Sequence, residues 1–142
     1  MFNFIEKQGS VFDSSMTNSD LYYAHCVSAD FAMGMGIAVE FDRRFNLKEQ
    51  LKRIYNKNSE SCILLNHVFN LITKEKYWHK PTYISLKKAV LEMKAICLDK
   101  NIKEIHMPRI GCGLDGLSWI IVKQIIQNIF RGTDIKIIVY YL

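Results

Sequence analysis

The chain has 142 residues, 49% of them apolar and 23% charged, with a formal charge of +5. That length suits one domain with one buried core, and that composition excludes a globally disordered chain. No run reaches the roughly 18 apolar residues of a membrane-spanning helix, and the start, Met1-Phe2-Asn3-Phe4-Ile5-Glu6-Lys7, lacks the basic flank and apolar stretch of a secretory signal.

Phe2 to Glu6 reads as a first strand, ended by Gly9-Ser10. Leu21 to Val27 reads as a second, and it runs into Ser28-Ala29-Asp30, a turn or cap signal. Met33-Gly34-Met35-Gly36 follows. From Ile37 to Phe45, apolar positions 37, 38, 41 and 45 share one helical face. Leu47 to Tyr55 is a second helical stretch, with 47, 51, 54 and 55 together, ended by Asn56-Lys57-Asn58-Ser59. Cys62 to Leu65 and Val68 to Thr73 are apolar strands. Asn66-His67 fits a tight turn between them, because Asn tolerates positive φ.

Pro81-Thr82 starts the clearest helix, with Tyr83, Leu86, Val90, Met93 and Cys97 spaced three and four apart. Ile102 to Met107 is another strand, stopped by Pro108. Ser118 to Arg131 is a helix with Val122, Ile125, Ile126 and Ile129 inward, closed by Gly132. Ile135 to Tyr141 is a last strand. Strands separated by helices predict a single α/β domain over residues 1–142, with a mostly parallel or mixed sheet. Cys26, Cys62, Cys97 and Cys112 are widely spaced, which predicts reduced thiols in a cytoplasmic protein and neither a disulfide frame nor a zinc site.

Three irregular segments carry the chemistry, because ligands of open α/β sheets bind beyond the carboxyl ends of strands. The first is Ala24 to Ser28 with the Met33 to Ile37 stretch. Glycines before a helix let the backbone approach a ligand, and free amides there favour anions; a flexible connection explains the same residues. The second is Met107 to Asp115, where Gly111 and Gly113 can shape a nest of amides around a pyrophosphate. It matches neither the P-loop nor the full Gly-x-Gly-x-x-Gly pattern. Asp115 reads either as a helix cap, a place Ser118 also fits, or as an acid/base group. The third is Leu71-Ile72-Thr73-Lys74. Lys74 is either the point where the sheet reaches water or an amine nucleophile, whose lone pair partial desolvation frees. A nearby Asp works against that and holds the proton on the amine.

Taken in order, Ala24-His25-Cys26-Val27-Ser28, Met33-Gly34-Met35-Gly36-Ile37-Ala38-Val39, Leu71-Ile72-Thr73-Lys74, His79-Lys80-Pro81-Thr82-Tyr83, Met107 to Asp115 and Thr133-Asp134-Ile135-Lys136 resemble macrodomains of the terminal ADP-ribose protein glycohydrolase type. The resemblance implies a three-layer α/β/α fold with a mixed sheet of about six strands. It implies ADP-ribose as ligand, hydrolysis of an ADP-ribosyl bond to acidic protein side chains, and no metal or cofactor.

By the family pattern Lys74 is the nucleophile toward the anomeric carbon of the distal ribose, and Asp115 helps resolve the covalent intermediate. Ser28 and Gly34, Met35, Gly36 and Ile37 line that ribose. Gly111, Cys112, Gly113 and Leu114 hold the pyrophosphate. His25, Met33, Thr73, Pro108, Arg109 and Ile110 complete the expected ligand-binding set.

One departure stands out. Macrodomains usually carry Gly-Asp near the first strand, where the Asp accepts a hydrogen bond from the adenine amino group; Gly9-Ser10 stands there instead. A hydroxyl accepts that bond without charge assistance, and Val11 and Phe12 remain for adenine contacts. Asp13 is nearby and substitutes only through a shifted loop. The expected partner is mono-ADP-ribosylated protein. The alternatives are ADP-ribosylated single-stranded DNA, steered by lysines 48, 52, 57, 74, 76 and 80, and a reader that binds ADP-ribose without cleaving it. Deacetylation of O-acetyl-ADP-ribose is a side activity the same pocket allows. A monomer away from membranes is the expected state.

Overall fold

The computed structural model describes residues 1–13, 20–57 and 60–142. The expected helix stop at Asn58-Ser59 lies outside them. Six strands and four helices follow one another: β1 (Asn3–Gln8), β2 (Tyr23–Ser28), α1 (Ile37–Phe45), α2 (Lys48–Ile54), β3 (Cys62–Leu65), β4 (Val68–Lys74), α3 (Tyr83–Lys100), β5 (Glu104–Pro108), α4 (Trp119–Phe130) and β6 (Lys136–Tyr141). They form one sheet in the order β1-β6-β5-β2-β4-β3. Every neighbouring pair is parallel except β3 with β4, which makes the sheet mixed.

The strands are built from residues that suit burial on both faces. β4 reads Val-Phe-Asn-Leu-Ile-Thr-Lys and is buried along its length except at Lys74, the near-continuous apolar run of a central parallel strand. β3 and β4 are joined by Asn66 and His67, both left-handed at φ 51° and 67°. Two such residues in succession give the turn whose twist matches a two-residue hairpin, and that turn makes β3 the one antiparallel strand.

Two apolar clusters cover the two faces. Leu86, Val90 and Met93 of α3 and Val122, Ile126 and Phe130 of α4 pack with Phe69, Leu71, Ile105 and Ile137. Phe41 of α1 and Leu51 of α2 pack with Tyr23, Val68, Ile72 and Ile138 on the other face. The layers are therefore α/β/α. Thr82 starts α3 with a reciprocal cap: its hydroxyl accepts from the Ser85 amide, and the Ser85 hydroxyl accepts from the Thr82 amide. Such a cap satisfies two amides that a helix start otherwise leaves open.

Some expectations shift. β5 begins at Glu104 rather than Ile102, because the Ile102 amide still closes α3 by donating to the Cys97 carbonyl. Ile37 and Ile54 were placed on buried helix faces but are 40% and 51% exposed. Each lies at a helix end, where the sheet no longer lies beneath that face.

Candidate active site

Because β2, β4 and β5 run parallel, their carboxyl ends meet at one edge of the sheet. Ser28 ends β2, Lys74 ends β4 and Pro108 ends β5. The ladder between β2 and β4 slips there: Val27 pairs with Ile72, but Ser28 pairs with Lys74, leaving Thr73 as the extra residue. A bulge of this kind re-aims the side chain beyond it. The Ala29 amide then fixes the Lys74 carbonyl at 2.8 Å.

Lys74 Nζ donates to Asp115 Oδ1 at 2.8 Å, and the two side chains are only 14% and 19% exposed. Asp115 closes a 3₁₀ turn over Gly113–Asp115. It caps no helix. Ser118 stands at the start of α4 with no side-chain cap bond, and its amide donates to the Tyr83 hydroxyl. Of the two sequence readings for Asp115, the helix cap is not what the structure shows, since its carboxylate lies on the Lys74 amine.

The loop that carries Asp115 turns on two glycines. Gly111 and Gly113 take left-handed φ of 74° and 76°, on either side of Cys112 at −103°. A Cβ on Gly113 would meet nothing within 4 Å, so the residue faces open space. The amides of Gly113 and Leu114 meet no acceptor among the described residues. The loop is fastened from outside by Lys80, whose Nζ donates to the Leu114 carbonyl at 2.6 Å, and at its root by the Leu117 amide on the Gly111 carbonyl.

The opposite wall is the 33–36 loop. Gly34, Met35 and Gly36 are exposed and lead into α1. A Cβ on Gly36 would stand 3.2 Å from Leu114 Cδ1. Glycine here lets the two walls approach. Before this loop, Phe31 and Met33 hold left-handed φ of 49° and 46°, which costs about 1–3 kcal/mol for a non-glycine residue. Asp30 holds them there. Its carboxylate accepts from the Ser28 hydroxyl, the Ala32 amide and the Tyr77 amide. Burial pushes that carboxyl up, but those three donors outweigh it and leave it below the usual range.

The other expected ligand residues divide. Val11 and Phe12 are buried beside the end of β1, next to Ser10. The Ser10 hydroxyl accepts from the Phe12 amide at 3.1 Å, and the Ser10 amide donates to Asp13 Oδ2 at 2.9 Å. Asp13 is thus occupied with the loop backbone. Met33, Thr73, Ile110 and Gly111 are buried, so backbone is what they offer. Pro108 is half-buried. Cys112 is half-buried, with its thiol raised by burial.

Two side chains of the expected set are engaged elsewhere. His25 is fully buried, its ring stacked on Phe41 at 4.2 Å and its Nε2 on Asn70 Oδ1 at 2.7 Å. That burial lowers it to about 4, and its side chain belongs to the core beneath the site. The Arg109 guanidinium lies 4.8 Å over Tyr141 and 5.6 Å over Trp119, with Glu6 at 3.8 Å. The side chain is engaged on β1 and α4, leaving the backbone of residue 109 for the loop.

Sequence reasoning missed Asp30 as the organiser of the first wall and Tyr77 as its partner. A Ser-x-Asp turn after a strand was the available signal for the first; nothing local marks the second.

An amine–carboxylate pair beside a glycine-turned loop, at the carboxyl edge of a mixed α/β/α sheet, is a candidate hydrolytic site on a domain of the three-layer class. Comparison with known proteins places it further. The model of the family described as Macro domain matches residues 17–126, and the chain belongs to that family. It is 42% identical over 138 residues to human ADP-ribose glycohydrolase OARD1, covering 95% of this chain and 89% of that protein. It is 25% identical over 122 residues to a Mycobacterium tuberculosis protein named DNA ADP-ribosyl glycohydrolase, covering 76% of this chain and 34% of that one. Among solved structures, the macrodomain of Mycobacterium tuberculosis DarG superposes with a TM-score of 0.83 at 19% identity, covering 100% of this chain and 99% of that one. Thermosipho africanus DarTG in complex with ADP-ribose gives 0.77 at 19%, covering 97% and 41%.

Proposed function

We propose that this macrodomain binds ADP-ribose and hydrolytically removes it from acidic side chains of mono-ADP-ribosylated proteins. The observation that carries the reading is the 2.8 Å contact of Lys74 Nζ with Asp115 Oδ1 beside the amide nest. Lys74 is the nucleophile and Asp115 the acid/base. In the resting geometry the amine donates to the carboxylate, so its lone pair is engaged. Attack requires that proton to leave, and Asp115 Oδ1 is the acceptor already in contact. As the amine bonds to the anomeric carbon the carboxylate leaves; water then attacks that carbon, the amine–carbon bond breaks, Asp115 returns its proton to the departing amine, and the proton lost by water goes to solvent.

The leaving group fits this economy. A carboxylate departs from the anomeric carbon with little protonation, and the ribose supports an oxocarbenium-like state. An amine gives the covalent route. Gly111, Cys112, Gly113 and Leu114 hold the pyrophosphate, Ser28 with Gly34, Met35, Gly36 and Ile37 line the distal ribose, and Ser10, Val11 and Phe12 receive adenine. Likeness to the human glycohydrolase over 95% of the chain supports this reading. A pure reader needs neither Lys74 nor Asp115. We place the protein in the cytoplasm as a monomer.

ADP-ribosylated single-stranded DNA is the second reading, favoured by relatives named as DNA ADP-ribosyl glycohydrolases. The deciding experiment offers the protein a defined mono-ADP-ribosylated glutamyl substrate and an ADP-ribosylated oligonucleotide and identifies the products. Release of ADP-ribose from the ester supports the proposal; no release from either substrate overturns it.

A further inference from the structure

In the proposed function the ligand crosses the strand ends in sheet order. Adenine lies beyond β1, the pyrophosphate at the loop after β5, and the distal ribose over β2 and β4. With the order β1-β6-β5-β2-β4-β3, the next ground along that line is the edge shared by β4 and β3. What is joined to the distal ribose lies beyond the sugar, and this edge is the nearest part of the sheet not already assigned to ADP-ribose.

A cavity of about 280 Å³ stands at that edge and adjoins Lys74. Its volume is near the lower end for ligand pockets, roughly 300 Å³, which suits a short stretch of chain. Because β3 runs antiparallel to β4, its start lies beside the end of β4. That register brings Ser61 next to Ile72, whose amide donates to the Ser61 carbonyl at 2.8 Å.

Ser61 lines the cavity and is only 5% exposed. Its backbone is engaged on both sides, since its amide donates to Glu92 Oε2 of α3 while its carbonyl takes the Ile72 amide. Its hydroxyl meets no hydrogen-bond partner among the described residues. Leaving a buried hydroxyl unpaired costs free energy, and folded proteins seldom do so without a reason. A polar group entering the cavity would satisfy it.

The charges on the wall indicate what kind of group enters. Lys57 and Lys88 stand there with Glu60 and Glu75, and Lys74 is already matched by Asp115. Among the described residues none of those first four is in an ion pair. Glu60 Oε1 accepts from the Asn56 amide at 2.9 Å. The Tyr55 phenol lies among them; burial raises it, and the Glu75 and Glu60 carboxylates raise it further. A phosphodiester chain gains from two of these charges and is repelled by the other two. A polypeptide uses both signs, because its N–H groups reach carboxylates and its C=O groups reach ammonium and hydroxyl donors.

We propose that this cavity receives the main chain of the acceptor protein beside the modified glutamate, with Ser61 and Lys88 donating to its carbonyls and Glu75 accepting from an amide. The proposal deepens the hydrolase reading and rests on it, by giving the acceptor polypeptide a binding site of its own.

The test compares the wild type with Ser61→Ala, Lys88→Ala and Glu75→Ala on three substrates. The first is a short glutamyl peptide esterified with ADP-ribose. The second is the acetyl ester at the same carbon, in which the same bond breaks but no main chain follows. The third is an ADP-ribosylated oligonucleotide. Each variant is expected to lose about fivefold in kcat/KM on the peptide, with the acetyl ester and the oligonucleotide unchanged. Lys88 and Glu75 are exposed, so their truncation spares the fold, and a melting curve checks Ser61→Ala. Unchanged peptide rates in Lys88→Ala and Glu75→Ala overturn the proposal. So does an equal loss on the acetyl ester, which puts the effect at the sugar, or on the oligonucleotide, which makes the cavity a nucleic-acid site.

Affinity separates this proposal from the reading beneath it. A peptide joined to ADP-ribose through an amide in place of the ester is compared with free ADP-ribose by calorimetry. If the wild type cleaves no substrate, yet binds the conjugate about tenfold more tightly and loses that excess in Lys88→Ala, the hydrolase reading fails and the cavity stands. If every variant cleaves the peptide ester like the wild type and binds conjugate and free ADP-ribose alike, the hydrolase reading stands and the cavity fails.

Discussion

Lys74 and Asp115 meet at 2.8 Å across a strand that belongs to neither of them. Lys74 ends β4 and Asp115 lies in the loop after β5, while β2 runs between those two strands. The contact is made over the carboxyl end of β2, where Ser28 stands. The pair thus lies at the ends of three adjacent parallel strands, the place where an open α/β sheet leaves room for a ligand.

On the proposed reading Lys74 is at once the charge that pairs with Asp115 and the nucleophile, and two substitutions separate the roles. Lys74→Arg keeps a cation against Asp115 but offers no lone pair, because guanidinium stays protonated. Lys74→Ala removes both. Each variant is expected to lose on the order of 10³-fold or more in turnover, with ADP-ribose binding retained by calorimetry. Turnover by Lys74→Arg at the native rate contradicts a nucleophilic amine. Asp115→Ala is expected to stop turnover at a later point, with a mass increment of ADP-ribose on the tryptic peptide containing Lys74.

Gly113 is a probe of the amide nest alone. Its φ of 76° disfavours any side chain, and the space beside it is open. Gly113→Glu places a carboxylate where the proposed function puts the pyrophosphate, and affinity for ADP-ribose is expected to fall roughly 100-fold or more, about 3 kcal/mol. Far-ultraviolet circular dichroism unchanged from the wild type shows that the fold survives. Native affinity in that variant removes the pyrophosphate from this loop.

Ser10 stands where the family usually has an Asp, and its surroundings explain why one substitution will not restore that residue's effect. Asp13 already accepts from the Ser10 amide, so Ser10→Asp brings a second carboxylate beside the first. The single variant is expected to gain little. With Asp13→Asn added, the repulsion is gone and the charge-assisted bond to the adenine amino group is expected to raise ADP-ribose affinity about fivefold. Competition against the inosine analogue, which lacks that amino group, reads the effect directly.

His25 gives the fold a pH signature. Burial lowers it from 6.5 to about 4, against a smaller opposing effect of its bond to Asn70. Between those values the unfolded chain binds a proton that the folded one does not, so stability rises with pH across this window and is lost as pH falls from 6.5 toward 4. The loss from this residue is about 3 kcal/mol. Urea unfolding of His25→Gln, compared with the wild type at pH 4.5 and pH 7, is expected to show a shallower fall. Parallel slopes assign the acid sensitivity elsewhere.

Much of this was legible in the sequence because the signals were local. Ile37–Phe45 has the bounds that the spacing predicts, and Thr82 begins α3 as the Pro-Thr signal implies. The hairpin at Asn66-His67 and the apolar run ending at Lys74 were equally plain. Resemblance to the macrodomains brought Lys74 and Asp115 together before any coordinates did. What escaped is lateral. An apolar strand gives no sign of its neighbours, so the order β1-β6-β5-β2-β4-β3 and the slip at Thr73 had no sequence mark. His25 sits within a motif that reads as ligand-binding, yet the pleat points its ring at Phe41 and Asn70. Arg109 sits in the anion loop by position, but Trp119 and Tyr141, distant in sequence, hold its guanidinium.

One carboxylate, that of Asp30, fastens both the hydroxyl at the end of β2 and the turn bearing Tyr77. The end of β2 and the turn after β4 are thus one mechanical piece. A displacement of that turn is carried through a single side chain to the strand end beside Lys74.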